Sequence, residues 1–199
     1  MAKVINVEGI IGAGKTTLVD TLSRDYEVET VPEPVDDNPF LAKFYDDEKA
    51  YGYLIQMWLL SARHDANRAA FWLARGGRNI LVDRGRLGDR CFARVNNALG
   101  NITDDQMMVY DKFFTSMNSR DPDAIVFIDI GVTEAGRRIE ARGRECEKGI
   151  DPHYLHLLRL EHDHMVNDAS QRGVEVIRPT GDYSSADVAR ALNLTARSA

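Results

Sequence analysis

Gly9-Ile-Ile-Gly-Ala-Gly-Lys-Thr-Thr17 fits the pattern G-x-x-x-x-G-K-[ST], with glycine at 9 and 14 followed by Lys15 and Thr16. The apolar run Val4-Ile5-Asn6-Val7 leads into it, and Thr17-Leu-Val-Asp-Thr-Leu22 continues with a helical pattern. A strand before and a helix after distinguish a phosphate-binding loop from an ordinary glycine-rich turn. The glycines let the backbone from Gly9 through Ile10, Ile11, Gly12, Ala13 and Gly14 close its amides around phosphate. The helix start at Lys15, Thr16 and Thr17 adds positive potential. Lys15 would neutralise the outer phosphates, and the Thr16 hydroxyl is placed to hold Mg²⁺. The stretch implies a bound nucleoside triphosphate.

Outward from this loop, short β-branched runs alternate with longer helical patterns. Candidate strands are 3–8, 27–31, 79–83, 124–129 and 174–178; candidate helices lie near 14–25, 48–75, 86–98, 104–119, 133–142, 152–171 and 185–196. Five short, largely unalternated strands separated by helices predict an α/β fold: a five-stranded parallel sheet with helices on both faces, in three layers. Asp83 and Asp129 close the third and fourth runs, at the carboxyl edge where such sheets place ligands. No repeat or low-complexity tract interrupts 1–199, and 199 residues suit one domain. The Pro-rich piece 32–39 and the charged piece 142–151 read as functional loops, because regular structure resumes on each side.

Bulk properties narrow the partners. The net charge of −6, without a dense Lys/Arg block, disfavours nucleic acid. Apolar runs near 54–62 and 124–130 fall short of a membrane span. The first candidate strand begins close to Met1, so no signal peptide is expected. Cys91 and Cys146 lack metal-ligand spacing and read as reduced thiols of a cytoplasmic chain. His162 and His164, two apart on a helix, point away from each other and suggest no metal site.

Several side chains could carry chemistry beside the loop. Glu33, in Val31-Pro-Glu-Pro-Val35, is held between prolines past the second strand. It suits a general base facing the phosphates, or a solvent-facing loop glutamate. Asp83-Arg84-Gly85 ends the third strand, and an acid there commonly serves Mg²⁺ or its water shell. Arg84 would be a fixed cation near the transferred phosphoryl group, unless the pair merely caps the next helix. Gln56 and Arg63 lie seven apart on one helical face, with Leu59 and Leu60 between them. They could meet a planar base, or Arg63 could pair with an acid such as Asp89. Arg138, Arg142 and Arg144 form either a solvated basic face or a lid over polyphosphate.

Taken in order, the loop, Glu33-Pro-Val35, Gln56 with Arg63, Asp83-Arg84 and the arginine run ending in Glu147 and Gly149-Ile150 resemble the deoxynucleoside kinase family. Asn38-Pro-Phe-Leu41 with Phe44-Tyr45 is similar to its bacterial deoxyadenosine/deoxyguanosine kinase branch. The resemblance spans nearly the whole chain and implies a P-loop kinase fold with an arginine-rich lid at about 136–150. It implies transfer of the γ-phosphoryl group of ATP to a deoxynucleoside 5′-hydroxyl, with Mg²⁺ held at Thr16 and Asp83, in a homodimer. Glu33 would be the base, with Arg84 and Lys15 steadying the phosphoryl group. Gln56, Arg63 and Asp89 would read the base, with Phe92 stacked on it. Tyr45 and Glu147 would bind the 3′-hydroxyl, and Arg138, Arg142 and Arg144 would cover ATP. The segment from Thr180 to Tyr183, with Asp182, would border the adenine of ATP.

An acid and an amide in the base site suit an exocyclic amine, so the expected order is deoxyadenosine, then deoxycytidine and deoxyguanosine, with thymidine last. Gly85 departs from the serine the family often carries after Asp/Glu-Arg, and the stretch after Asp89 is one residue shorter than usual. A nucleoside monophosphate kinase of thymidylate type shares much of this pattern, but Glu33 would repel its phosphate acceptor. A GTPase-like switch lacks support, since no D-x-x-G or N-K-x-D is present. A non-catalytic nucleotide-binding regulatory module remains the alternative of another class.

Overall fold

The computed structural model describes residues 2–35, 38–144, 147, 149–179 and 182–197. Five parallel strands run β1 (Val4–Glu8), β2 (Val28–Val31), β3 (Asn79–Asp83), β4 (Ala124–Phe127) and β5 (Glu175–Ile177), in sheet order β2-β3-β1-β4-β5. The central strand β1 is buried along its whole length. Its register sets Val7 beside Asp83 and Glu8 beside Phe127, so three neighbouring strands end together at one carboxyl edge.

The helices are α1 (Lys15–Asp25), α2 (Leu41–Asp46), α3 (Glu48–Ala74), α4 (Arg86–Ala98), α5 (Asp104–Ser116), α6 (Val132–Arg142), α7 (Pro152–Gln171) and α8 (Ser185–Leu192). Strand alternation divides the core between the two faces of the sheet. Ile5, Val7 and Val126 pack with Leu18, Leu22, Ile139 and Leu192 on one side. On the other, Ile125 and Phe127 pack with Leu60, Leu87, Tyr110 and Val166, while Val4, Ile80 and Val82 meet Ala70 of α3. Burial on both faces explains why the inner strands β1, β3 and β4 read as near-continuous apolar runs. The three-layer α/β expectation holds.

Boundaries shift where local chemistry ends an element. Asn193 takes a left-handed conformation at φ 56°, which stops α8 at Leu192 instead of 196; Asn118 at φ 42° follows the end of α5 at Ser116 instead of 119. The six-residue α2 was not foreseen, being too short for a periodic signal. β4 closes at Phe127, so Asp129 lies beyond the strand and pairs with Arg159 at 2.6 and 3.0 Å, outside the cavity described below. Among the described residues, no helix is long and apolar enough to cross a membrane.

Candidate active site

At the carboxyl edge lies a cavity of about 1070 Å³, bounded by the phosphate loop, β2 and β3 ends, α3, α4 and the α6 end. The loop has the conformation its glycines allow: Gly9, Gly12 and Gly14 have φ 154°, 79° and 94°. A Cβ on Gly12 would stand 2.7 Å from the Ala135 carbonyl, so close packing and backbone conformation both require glycine there. Residues from Ile11 to Leu18 line the cavity. Gly9 and Ile10 do not: Ile10 is in the core, and its carbonyl accepts from Ala13 N at 3.2 Å and from Lys15 Nζ at 3.1 Å. Burial, with Arg84 nearby, lowers the Lys15 ammonium to about 8.

Thr16 donates from its hydroxyl to Asp83 Oδ2 at 2.5 Å. The other Asp83 oxygen is buried and has no hydrogen-bond partner among the described residues. Burial and the charge of Glu33 raise this carboxyl. A hydroxyl beside a carboxylate with one unclaimed oxygen, next to a phosphate loop, fits Mg²⁺, which takes one or two protein oxygens and completes its shell with water and phosphate. Among the described residues, no group of three or more His, Cys, Asp or Glu could enclose a metal, as that mode of binding requires.

Across the cavity, Glu33 Oε1 accepts from Arg84 Nε and from Arg63 Nη2, each at 2.7 Å. Burial pushes the Glu33 carboxyl up, but Arg84, Arg63 and Lys15 outweigh it and hold the group down at about 2. Arg84 adopts φ 64°, and its amide donates to the Val7 carbonyl at 3.1 Å. Its guanidinium lies 4.5 Å from the centre of the Phe92 ring. A strained backbone and a stacked side chain, both fixed, mark a residue whose orientation matters.

At the far end, α3 presents Gln56 and Arg63, both buried and both lining the cavity. Arg63 Nη1 pairs with Asp89 Oδ1, and Tyr110 donates its hydroxyl to Asp89 Oδ2 at 2.6 Å. Asp89 is fully buried, has both oxygens engaged and does not line the cavity. Asp89, expected in the base site, is held behind the cavity wall by its pairing with Arg63 and Tyr110. Gln56 donates from Nε2 to the Asp89 carbonyl at 3.0 Å. Arg63 Nε is buried and without a partner among the described residues. Phe92 and Tyr45 line the same space.

The α6 end carries the expected arginines. Arg138 donates to Glu134 at 2.6 Å and to the Ala13 carbonyl of the loop at 3.1 Å. Arg142 and Arg144 both reach Glu147, which is buried, and all four groups border the cavity. Asp182 and Tyr183 border it too, whereas Thr180 and Gly181 lie outside the described residues, as do Glu145, Cys146 and Lys148 within the lid segment. Cys91 is a free, buried thiol.

Sequence reasoning missed Asn96 and Tyr154, which also line the cavity. Asn96 follows Asp89 and Phe92 at helical spacing of seven and four, a signal that was present. Tyr154, a lone aromatic on α7, offers no such pattern.

Loop, paired acid and threonine, shielded carboxylate and arginine lid define an α/β phosphotransfer site. Comparison with known proteins agrees: residues 5–191 match the deoxynucleoside kinase family, and the chain belongs to that family as a deoxynucleoside kinase. It is 36% identical over 176 residues to the deoxyadenosine kinase of Dictyostelium discoideum, covering 87% of this chain and 70% of that one. It is 29% identical over 189 residues to the deoxyguanosine kinase of Bacillus subtilis, covering 94% and 89%. A solved structure of deoxyadenosine kinase from M. mycoides with bound dATP shares the fold, with TM-score 0.81 at 24% identity over 96% of this chain and 99% of that one.

Proposed function

We propose that this kinase transfers the γ-phosphoryl group of ATP to the 5′-hydroxyl of deoxyadenosine in preference to other deoxynucleosides. The observation that carries the reading is Glu33 facing the phosphate loop across one cavity, bound to Arg84. A carboxylate at the acceptor end suits an alcohol and repels a phosphate.

Lys15 and the arginines at 138, 142 and 144 meet the charge on the equatorial phosphoryl oxygens. Mg²⁺ bound through Thr16 and Asp83 would supply further charge neutralisation on the phosphates. Glu33 takes the proton of the 5′-hydroxyl. Arg84, Arg63 and Lys15 hold its carboxylate ionised and so able to accept that proton. Arg84, bound to this carboxylate and lining the same cavity, steadies both hydroxyl and phosphoryl group.

At the base end, the Gln56 amide is committed through Nε2 to Asp89, which leaves its oxygen to accept from an exocyclic amine. Arg63 Nε, which has no partner among the described residues, is the donor proposed for a ring nitrogen. Adenine offers both groups and thymine lacks the amine, so deoxyadenosine stands first, deoxycytidine and deoxyguanosine behind, thymidine last. Tyr45 and Glu147, which both line the cavity, are the groups proposed for the 3′-hydroxyl. A homodimer through helices belongs to the same reading, supported by exposed Met108, Val109 and Phe113 on α5, as does a cytoplasmic setting.

The test is ATP consumption with Mg²⁺ against the four deoxynucleosides, dAMP and dTMP in parallel. The reading expects turnover with free deoxynucleosides, deoxyadenosine foremost, and none with the monophosphates. Turnover confined to monophosphates would reduce Glu33 to a structural residue.

A further inference from the structure

His162 sits on α7 with no exposed surface, and no role in the reaction described above uses it. A fully buried imidazole needs partners for both nitrogens. Nδ1 lies 2.8 Å from the Leu158 carbonyl, one helical turn back, and a carbonyl can only accept. The proton is therefore on Nδ1, and Nε2 presents a lone pair. What it meets is Arg84 Nη1, at 3.3 Å. The ring itself cannot swing: it stacks on Phe127 of β4 at 6.3 Å between centroids and 6°, and receives the Phe92 edge from α4 at 5.8 Å and 85°.

We infer that His162 is a positioning residue for Arg84, a neutral acceptor that fixes which guanidinium edge faces the transferring phosphoryl group. The inference rests on the role given to Arg84 above. Three contacts then define the plane of Arg84: Glu33 on Nε, His162 on Nη1, and the Phe92 ring beneath. The remaining N–H groups are left for substrate. The choice of a neutral partner has a physical consequence. A second carboxylate here would hold the arginine as firmly but cancel its charge, and that charge is what meets the phosphoryl oxygens. His162 also keeps its acceptor character throughout the reaction, whereas Glu33 loses part of its hold on Arg84 when it takes a proton. Burial and the charge of Arg84, with Lys15 and Arg63 beyond it, hold the imidazole at about 3, so it stays neutral across the working pH range.

The test compares His162→Leu, His162→Gln, Arg84→Ala and the double variant H162L/R84A in steady-state kinetics, with thermal unfolding as a control. In His162→Leu, kcat should fall about 10- to 100-fold, since small misplacements of a reacting group cost on that order, while KM for ATP and deoxyadenosine stays within about threefold. Gln should recover most of kcat, because its amide oxygen takes the place of Nε2. In the Arg84→Ala background the leucine change should have no further effect on kcat. Unchanged kcat in His162→Leu, beside a large loss in Arg84→Ala, would overturn the inference and leave Arg84 in place. Full turnover in Arg84→Ala would remove the role of Arg84 and this inference with it. If the leucine variant does not fold, His162→Gln against His162→Asn decides, since the Asn amide replaces Nδ1 and cannot reach Arg84. Equal kcat in those two would overturn it as well.

Discussion

Arg63 donates to Glu33 across 2.7 Å while its other terminal nitrogen pairs with Asp89, so one buried guanidinium bridges the segment after β2 and helix α4. Under the proposed function, recognition of the base and placement of Glu33 would be linked through this single buried side chain.

Replacing Arg63 with alanine should have two effects. Asp89 would stay buried with only the Tyr110 hydroxyl for company, a loss of about 3–5 kcal/mol of stability from breaking a buried pair. Discrimination between deoxyadenosine and thymidine should also narrow, with ATP affinity unchanged. Urea unfolding and paired kcat/KM values measure both, and unchanged selectivity would count against a base-reading Arg63.

Glu33→Gln keeps the shape of the acceptor site and removes the base. We expect kcat to drop about 10²- to 10⁴-fold, with deoxynucleoside affinity by calorimetry close to the parent value. Near-normal turnover would take Glu33 out of the mechanism.

Asp83→Asn tests the metal assignment. Chelation of Mg²⁺ should abolish turnover, and the variant should need on the order of tenfold or more Mg²⁺ for half-maximal rate. An unshifted Mg²⁺ titration would place the ion elsewhere.

A Cβ on Gly85 would fall 1.7 Å from Asn6 Nδ2, between β1 and the start of α4, so this position requires glycine. Gly85→Ala should destabilise by about 1–3 kcal/mol through overpacking, and Asn6→Ala in the same chain should recover part of it. Strictly additive unfolding midpoints would mean that the two positions do not share this space.

Two buried groups give opposing pH dependences. Burial outweighs the attraction of Arg84 and raises Glu8 from 4.5 to about 7, so the folded chain holds a proton that the unfolded chain releases. Its contribution of roughly 3 kcal/mol is complete below 4.5 and is lost as pH rises through 7. Burial and Arg84 lower His162 from 6.5 to about 3, so its contribution is present above 6.5 and is lost as pH falls through 3. Between 4.5 and 6.5 the two slopes oppose each other. Glu8→Gln should expose the histidine slope, with stability climbing up to pH 6.5. Parallel unfolding profiles for parent and variant from pH 4.5 to 7.5 would show that Glu8 titrates normally.

Some of this site was legible because its signals are local. The loop, Lys15, Thr16 and the strand-end Asp83 follow one another or lie at a strand terminus, where chain order nearly fixes position. Gln56 and Arg63 were legible as a helical face of α3. That Asp89 is fully buried with both oxygens paired was not legible. Its burial depends on Tyr110 of α5, and no spacing along the chain reports a hydroxyl arriving from another helix. His162 drew notice only beside His164, because its partner Arg84 lies 78 positions away.

The sequence by itself determined the alternation of elements, the phosphate loop and the acid at the end of β3, since periodicity and glycine placement act over a few residues. Only the tertiary structure decided which oxygens and nitrogens are paired: among the described residues Asp83 Oδ1 and Arg63 Nε stand unclaimed, while Asp89 and Glu147 are occupied. Buried charges settle by pairing with whatever the packed helices bring within reach, and that is a property of the assembled core.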